Sequence, residues 1–206
     1  MDILGIDEAG RGSVLGPLVI AGVLIPEKME KVLERMGVKD SKKLAPHRRT
    51  ILSRKLKKMF DYEIVVISAR EIDEMRADGI NLNEIEKNAM ESILLKIKPE
   101  KAIVDAVDVK AERFQNNLCD DTGLNVIAEH KADDKYIEVS AASIIAKAER
   151  DDQIAQINKE FIKSGGIGSG YPSDPKTKDF LTNYTYDEMP DFVRRSWATV
   201  AKMKYF

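Results

Sequence analysis

The sequence predicts an α/β fold: a sheet flanked by helices, followed by a C-terminal helical part. Two observations support this prediction. Apolar, strand-like runs alternate with segments of helical period along most of the chain, and the last third carries helical patterns alone. The length of 206 residues suits one domain with an appendage. The glycine-rich stretch near residue 165 is the plausible boundary, so we predict a main domain over residues 1–164 and a helical appendage over residues 165–206.

The first third of the chain contains three predicted strands and two predicted helices. Residues 4–7 form a short apolar run. Residues 18–25 form a continuous apolar run that a proline stops, which is typical of a buried strand. Residues 27–36 alternate like a short helix, and residues 45–59 have helical period with a proline in the first turn, where it is tolerated. The β-branched, apolar residues 62–68 predict the third strand.

The middle of the chain adds one helix and two strands. Residues 83–98 carry apolar side chains at helical spacing, and the proline that follows ends this helix. Short apolar runs at residues 102–104 and 125–128 predict a fourth and a fifth strand.

The last third is predicted to be helical. Ser140 is placed to cap a long helix over residues 141–162, and Gly165 is placed to end it. A loop rich in Gly, Pro and Ser covers residues 168–175 and precedes a shorter helix. Residues 195–206 are predicted to form a terminal helix.

Bulk properties exclude several classes of protein. The chain has a single cysteine, Cys119, so an internal disulfide and a cysteine-rich zinc site are both excluded. No apolar run approaches the ~20 residues of a membrane span, and no secretory leader pattern opens the chain. We therefore expect a cytoplasmic protein with no membrane partner.

The charge pattern leaves two interpretations open. The formal net charge of -2 argues against a nucleic-acid partner. However, residues 42–58 hold eight basic residues and no acid, and Arg194, Arg195, Lys202 and Lys204 follow near the C-terminus. Either cluster could neutralise phosphates, whereas the alternative is a solvated helix face, which this pattern taken alone favours.

Acidic residues follow three predicted strands. Asp7 and Glu8 end the first strand, Asp105 ends the fourth, and Asp133 lies shortly after the fifth. In open α/β sheets, ligands collect at the carboxyl ends of strands, so these side chains are expected to converge. Converging carboxylates need compensating charge, and two divalent cations provide it while stabilising both oxygens of an in-line phosphoryl displacement. The alternative is that these acids are surface turns and caps, which for Asp133 alone is the better interpretation.

A glycine-rich turn with the sequence Gly10-Arg11-Gly12 follows the first two acids at once. The spacing to the next glycine, Gly16, is one residue too long for a dinucleotide-binding loop, and the preceding acids would repel a pyrophosphate. No Gly-Lys-Ser/Thr sequence occurs, so a Walker A loop is also excluded. The small residues instead allow the backbone to approach a sugar or phosphate closely.

Tyr171 is expected to present its ring in the loop at residues 168–175, where it can stack on a base or sugar. Packing that anchors the loop is the alternative. The two histidines are not spaced as metal ligands, and Trp197 is expected to pack in the core.

These residues resemble the type 2 ribonucleases H, and in particular their archaeal, single-chain members. The resemblance covers nearly the whole chain and follows one order. The matching blocks are GIDEAGRG at residues 5–12 with Gly-Pro at 16–17, DSKKL at 40–44, IVD at 103–105, KAD at 131–133, SAASIIAK at 140–147 and GSGYP at 168–172.

The resemblance implies a ribonuclease-H-like fold with a mixed five-stranded sheet. It implies cleavage of RNA in RNA/DNA hybrids, and cleavage on the 5′ side of ribonucleotides embedded in duplex DNA, with two Mg²⁺ or Mn²⁺ ions. The four carboxylates that match the family's catalytic and metal-binding set are Asp7, Glu8, Asp105 and Asp133. Gly10, Arg11 and Gly12 match the turn that recognises the 2′-hydroxyl, and Tyr171 matches the tyrosine that stacks beside the junction. Lys42, Lys43 and Lys147 could hold phosphates, and Ser41 is a further candidate for substrate binding.

Together, these features predict a two-metal reaction in which water attacks phosphorus in line and leaves a 5′-phosphate and a 3′-hydroxyl. The 2′-hydroxyl of the substrate serves as a recognition group. Two alternatives stay open: a metal-dependent nuclease of the same fold acting on DNA, and a non-catalytic nucleic-acid binder. A monomer is expected. The terminal Tyr205-Phe206 pair resembles sliding-clamp-binding tails, but no Gln stands at the expected place and Lys202 occupies the aliphatic position, so a clamp contact is a secondary expectation.

Overall fold

A computed structural model of the chain describes residues 1–205 and contains a five-stranded sheet in the order β3-β2-β1-β4-β5. The central strand β1 pairs antiparallel with β2 and parallel with β4, and β4 pairs parallel with β5. The sheet is therefore mixed, as the resemblance implied. The strands are β1 (Asp2–Ala9), β2 (Leu18–Pro26), β3 (Tyr62–Ile67), β4 (Lys101–Asp105) and β5 (Val126–Glu129).

The α-helices include all those that the sequence predicted before residue 164 and three that it did not. The unpredicted helices are α3 (Ala69–Ala77), α5 (Ala111–Thr122) and the short α6 (Ala132–Lys135). Ser68 and Glu71 form a capping box at the start of α3, a sequence signal that would have revealed this helix. The helices are α1 (Glu30–Met36), α2 (Pro46–Met59), α3 (Ala69–Ala77), α4 (Leu82–Ile97), α5 (Ala111–Thr122), α6 (Ala132–Lys135), α7 (Ile137–Phe161), α8 (Pro175–Thr182) and α9 (Ala198–Ala201).

The chain divides into two compact units, each assembled from three segments. The sheet unit comprises Met1–Ala9, Val19–Val65 and Asn83–Ala148, and the C-terminal unit comprises Gly10–Leu18, Val66–Leu82 and Glu149–Phe206. These units are discontinuous in sequence, whereas the division at residue 164 is continuous and stays a prediction.

The sheet unit has an apolar core between β2 and two helices. Val23 and Ile25 of β2 pack with Leu52 and Leu56 of α2, and the first half of α7 adds Ile145. All five side chains are at most 1% exposed. Burial of this kind is worth roughly 1.5–3 kcal/mol for each large apolar side chain, so this cluster stabilises the frame that carries the strand ends.

The C-terminal unit has its own aromatic core. Phe161 lies edge-on to Phe180 at 5.3 Å between ring centroids, and Phe192 stacks on Phe180 at 5.8 Å. Leu15 and Val193 form an isolated antiparallel bridge beside this cluster, and both are buried. Trp197 is partly buried against the same cluster, which confirms the prediction that it packs in the core.

Two sequence predictions near helix ends were wrong in part. Ser140 lies within the first turn of α7 and not at its cap, because the helix already begins at Ile137; the Ser140 hydroxyl donates to the carbonyl of Val38 at 2.6 Å. Residues 195–197 are not helical, and α9 continues as a 3-10 helix over Lys202–Tyr205. The prediction for Phe206 lies outside the described residues. Across residues 1–205, the helices are all too short or too polar to cross a membrane.

Candidate active site

Three of the predicted acidic residues come together at one edge of the sheet. Ile6 of β1 pairs with Val104 of β4 in parallel register, so the residues that follow them, Asp7 and Asp105, lie side by side near the carboxyl ends of these strands. Carboxylate oxygens of Asp7, Glu8 and Asp105 lie within 4.8 Å of one another. The parallel pairing therefore explains how acids almost a hundred positions apart in the chain converge.

This cluster carries more negative charge than a buried site tolerates. Burial raises the pKa of Asp7 well above its usual value, and the charges of Glu8 and Asp105 raise it further. Burial also raises the pKa of Asp105 to about 6, although the backbone N–H of Ala132, 2.7 Å from Oδ1, acts in the opposite direction. Bound protons or a bound cation would therefore relieve the repulsion within this cluster near neutral pH.

The donor set fits a hard divalent cation. Oε2 of Glu8 is buried and accepts no hydrogen bond from the part of the chain that the structure describes. An oxygen of this kind, beside two further carboxylates, offers the ligands that Mg²⁺ and Mn²⁺ prefer. Asp7, Glu8 and Asp105 are thus suited to hold such an ion.

Asp133 lies near this cluster but outside the group of three. It sits in the first turn of α6 and is 8% exposed, and its charge contributes to the raised pKa of Asp105. Its carboxylate is held by Lys42, whose Nζ lies 3.2 Å from Asp133 and 2.6 Å from Oδ1 of Asp134. Lys42 therefore brings a positive charge to the acidic edge, which comprises Asp7, Glu8 and Asp105 together with Asp133 and Asp134.

The other residues predicted to bind substrate in the sheet unit differ in exposure. Ser41 is buried at 2% exposed, whereas Lys43 is exposed and pairs with Asp40 at 3.0 Å. Lys147 is half-buried on α7, and its charge helps to lower the pKa of Asp134. Lys42 and Lys147 thus both act electrostatically on acidic residues at this end of the sheet, whereas Lys43 is paired with Asp40.

The glycine turn (residues 10–16) belongs to the C-terminal unit. The fold requires glycine at only one of its first two glycine positions, 10 and 12. Gly10 has φ +88°, and a Cβ there would lie 2.6 Å from Cδ of Arg150. The fold itself therefore requires glycine at position 10. Gly12 is exposed, and a Cβ there would meet nothing within 4 Å, so the described chain does not require glycine at position 12.

Arg194 supports this turn from within the core, a role that its sequence did not suggest. It is fully buried, its Nε donates to the carbonyl of Gly16 at 3.0 Å, and its Nη1 donates to the carbonyl of Arg11 at 3.1 Å. Burial lowers the pKa of Arg194 to about 9. The interpretation of Arg194 as a surface residue available to neutralise phosphate was therefore wrong.

Tyr171 is 37% exposed, as expected for a presented ring. One face of the ring is covered by Arg150, whose Cζ lies 4.8 Å from the ring centroid. The tyrosine loop (residues 168–175) is held by Thr177, whose Oγ1 accepts from the N–H of Gly170 at 3.0 Å. No sequence motif points to Arg150, but it lies four residues from both Ala146 and Ile154, on the apolar stripe of α7, where a charge is unusual.

The chain was compared with known proteins. A family model described as Ribonuclease HII matches residues 4–200. A curated protein named Ribonuclease HII from Methanobrevibacter smithii is 80% identical over 204 residues, which is 99% of each chain.

Solved structures agree with this likeness. The chain is similar to the ribonuclease H2 of Pyrococcus horikoshii, with TM-score 0.89 and 44% identity, covering 100% of this chain and 98% of that one. It is also similar to a structure of the PCNA:RNase HII complex from Archaeoglobus fulgidus, with TM-score 0.88 and 45% identity, covering 96% of this chain and 95% of that one.

Proposed function

The chain belongs to the ribonuclease HII family and is a type 2 ribonuclease H; on this basis, we propose that it cuts on the 5′ side of ribonucleotides embedded in duplex DNA, besides hydrolysing the RNA strand of hybrids. The products are a 5′-phosphate and a 3′-hydroxyl. The observation that supports the proposal most strongly is the group of three carboxylates within 4.8 Å at the end of β1 and β4.

The acidic edge is the reacting centre in this proposal. Members of the family use divalent metals, and we propose two Mg²⁺ or Mn²⁺ ions for this chain. When bound, such ions stabilise the charge that develops on the attacking and leaving oxygens of an in-line displacement at phosphorus. Asp7, Glu8 and Asp105 would hold these ions, with Asp7 the most buried of the three, and Asp133 would complete the set from α6.

Before substrate binds, Lys42 neutralises part of the negative charge at the acidic edge. Its Nζ contacts both Asp133 and Asp134, so it can pass from these carboxylates to a substrate phosphate. Lys43 and Lys147 are proposed as weaker phosphate contacts, and Ser41 as a residue that shapes the same loop.

Recognition of the ribonucleotide is assigned to two segments of the C-terminal unit. Gly10-Arg11-Gly12 comes directly after Glu8 and Ala9 in the chain, and the exposed backbone at Gly12 leaves room for a sugar. A 2′-hydroxyl both donates and accepts hydrogen bonds, so backbone groups of this turn can distinguish ribose from deoxyribose. The uncovered face of Tyr171 is proposed to stack beside the junction.

A sliding-clamp contact through the C-terminus is proposed as well, because the similar Archaeoglobus fulgidus protein was solved together with PCNA. Tyr205 is 84% exposed at the end of the described residues, which leaves it available to a partner. Deleting residues 202–206 should abolish co-elution with the clamp while leaving hybrid cleavage unchanged. Co-elution that survives the deletion would place the contact elsewhere.

The main proposal is tested with a DNA duplex that carries one ribonucleotide, incubated with and without Mg²⁺, with the cut mapped to the nucleotide. We expect a single cut on the 5′ side of the ribonucleotide that requires the ion. The all-DNA duplex is the matched control. Cleavage of that control would favour a DNA nuclease, and binding without cleavage of either duplex or of a hybrid would favour a non-catalytic binder.

A further inference from the structure

Arg150 is a buried charged residue to which the proposed function has assigned no role. It is 5% exposed and lies on the second half of α7, within the C-terminal unit. Charged side chains are rarely buried to this extent unless they are paired or make specific hydrogen bonds.

One nitrogen of Arg150 reaches both segments that recognise the ribonucleotide in the proposed function. Nη2 donates to Oγ of Ser13 at 2.6 Å and to the carbonyl of Leu15 at 3.4 Å, both in the glycine turn. It also donates to the carbonyl of Ser169 at 3.2 Å, in the tyrosine loop. A single guanidinium therefore bridges the turn and the loop.

The backbones of the two segments are in contact beside Arg150. The carbonyl of Gly170 accepts from the N–H groups of Val14 at 2.8 Å and Leu15 at 3.1 Å, and from Oγ of Ser13 at 2.8 Å. The turn and the loop thus form one hydrogen-bonded assembly, and Arg150 lies against both of its parts.

Two glycines are fitted to this side chain. A Cβ at Gly10 would lie 2.6 Å from both Cδ and Nε of Arg150, and a Cβ at Gly170 would lie 3.0 Å from Nη2. Both glycines have positive φ, +88° and +85°. The arginine is therefore enclosed between the two glycine-containing segments.

The guanidinium also orients the aromatic ring. Cζ of Arg150 lies 4.8 Å from the centroid of the Tyr171 ring, within the range of a cation–π contact. The planar group covers one face of the ring, while Tyr171 remains 37% exposed. Tyr171 is thus held with one face available to a nucleotide.

The hydrogen-bond partners of Arg150 are oxygens of uncharged groups, and its Nε makes no hydrogen bond within residues 1–205. A buried cation held in this way is costly compared with an apolar side chain of similar volume. Stability alone would therefore favour an apolar residue at this position. Arginine differs from an apolar residue at this position because its charged, planar guanidinium can bond to several groups in a defined geometry.

We propose that Arg150 is a positioning residue for ribonucleotide recognition, which joins the glycine turn to the tyrosine loop and orients the ring of Tyr171. The proposal rests on the proposed function, because it assumes that these two segments contact the substrate. Arg150 itself touches no reacting atom in this account.

The test compares Arg150→Met and Arg150→Lys with the wild type on two substrates: a duplex with one ribonucleotide and a continuous RNA/DNA hybrid. Since Tyr171 is assigned to the junction, we expect Arg150→Met to lower kcat/KM roughly 10- to 100-fold on the single-ribonucleotide duplex, a loss typical of a misplaced group, and clearly less on the hybrid. Arg150→Lys keeps the charge and one hydrogen bond, so it should restore part of the loss.

A stability control and a double variant separate positioning from folding. Leu56→Ala, fully buried in the core of the sheet unit, should lower the melting temperature without changing the ratio of the two kcat/KM values. In a Tyr171→Ala background, Arg150→Met should lower single-ribonucleotide cleavage by a much smaller factor than it does alone, because the ring that it orients is gone. All rates are measured where circular dichroism shows fully folded protein.

Equal losses on both substrates, or losses that multiply fully in the double variant, would overturn the positioning role while leaving the proposed function intact. If the wild type cuts the hybrid but not the single ribonucleotide, the proposed function fails instead, and the role of Arg150 falls with it. Cleavage by the Arg150→Met variant at the wild-type rate would also overturn the inference.

Discussion

The backbone N–H of Ala132 donates to Oδ1 of Asp105 at 2.7 Å. This bond ties the start of α6 to the carboxylate that ends β4, so the segment that carries Asp133 is anchored to the acidic edge by a main-chain contact. The residue just before it, Lys131, adopts φ +55°, a left-handed conformation that is uncommon outside glycine. The left-handed conformation at Lys131 therefore comes directly before the hydrogen bond that joins α6 to Asp105.

The first prediction concerns the acidic edge without metal. The pKa of Asp105 in the folded protein is about 6, above its unfolded value near 4, so its ionisation opposes folding. This loss of stability is complete above pH ~6 and disappears as the pH falls below ~4. We therefore expect Asp105→Asn to stabilise the protein in EDTA near neutral pH, by at most about 2 kcal/mol because the site is partly solvated, and to have no such effect near pH 4.

Urea unfolding at both pH values measures this effect. The hydrogen bond from Ala132 can be kept by the amide oxygen of asparagine, so the comparison isolates the charge. With saturating Mg²⁺ the order should reverse, because the wild type gains more binding energy. A variant that is less stable than the wild type in EDTA near neutral pH would show that repulsion in the cluster is not the dominant effect.

The second prediction separates the two glycines of the turn. Gly12→Ala meets open space, so it should fold normally, yet the added methyl lies where a sugar is expected and should lower cleavage of ribonucleotide duplexes roughly 10-fold or more. Gly10→Ala should instead lower the melting temperature, since its φ is positive and its Cβ would collide with Arg150. Thermal melts and kcat/KM are measured for both. Normal activity in Gly12→Ala would argue against sugar contact at that position.

The third prediction uses the two neighbouring lysines as a matched pair. Lys42 contacts the acidic edge, whereas Lys43 pairs with Asp40 at 3.0 Å. Lys42→Ala should raise KM and reduce the salt dependence of substrate binding by about one ion, while Lys43→Ala should change both less. The measurement is binding at several salt concentrations in Ca²⁺, which prevents turnover. Equal effects of both variants would mean that the contact of Lys42 with the acidic edge makes no specific contribution to substrate binding.

The fourth prediction concerns Tyr171. Its ring packs on Arg150 and is otherwise partly exposed, so Tyr171→Ala should lower cleavage at a single ribonucleotide far more than it lowers the melting temperature. Tyr171→Phe keeps the stacking face and should retain most of the activity. A parallel fall of activity and stability would support the alternative that the ring only anchors its loop.

Much of the fold and part of the site could be predicted from the sequence. The strand ends at Asp7 and Asp105 were predicted to converge because acids that follow parallel strands meet at one edge of a sheet, and the pairing of β1 with β4 confirms this. The helix α3 was missed although Ser68 and Glu71 carry a capping signal. In both cases the information lies in a local sequence pattern.

Other features depend on tertiary contacts that no local pattern encodes. Arg194 looked like a surface charge, and only the structure reveals its burial against the carbonyls of Arg11 and Gly16. Likewise, Gly10 and Gly12 look equivalent in sequence, but the collision with Arg150 affects only the first. The carboxylate of Asp133 was expected to join the other three directly. In the structure it contacts Lys42, and this pairing joins side chains far apart in the sequence.

The measurement that tests the central claim most directly is the Mg²⁺-dependent cleavage rate of Asp7→Asn on a DNA duplex with one ribonucleotide. Asp7 is 5% exposed at the centre of the three carboxylates, and asparagine preserves its size while removing the charge that a cation needs. We expect cleavage to fall by roughly 10³-fold or more, since the loss removes a charge required for transition-state stabilisation, with the fold unchanged by circular dichroism. A rate near that of the wild type under the same conditions would contradict the assignment of this cluster as the catalytic metal site.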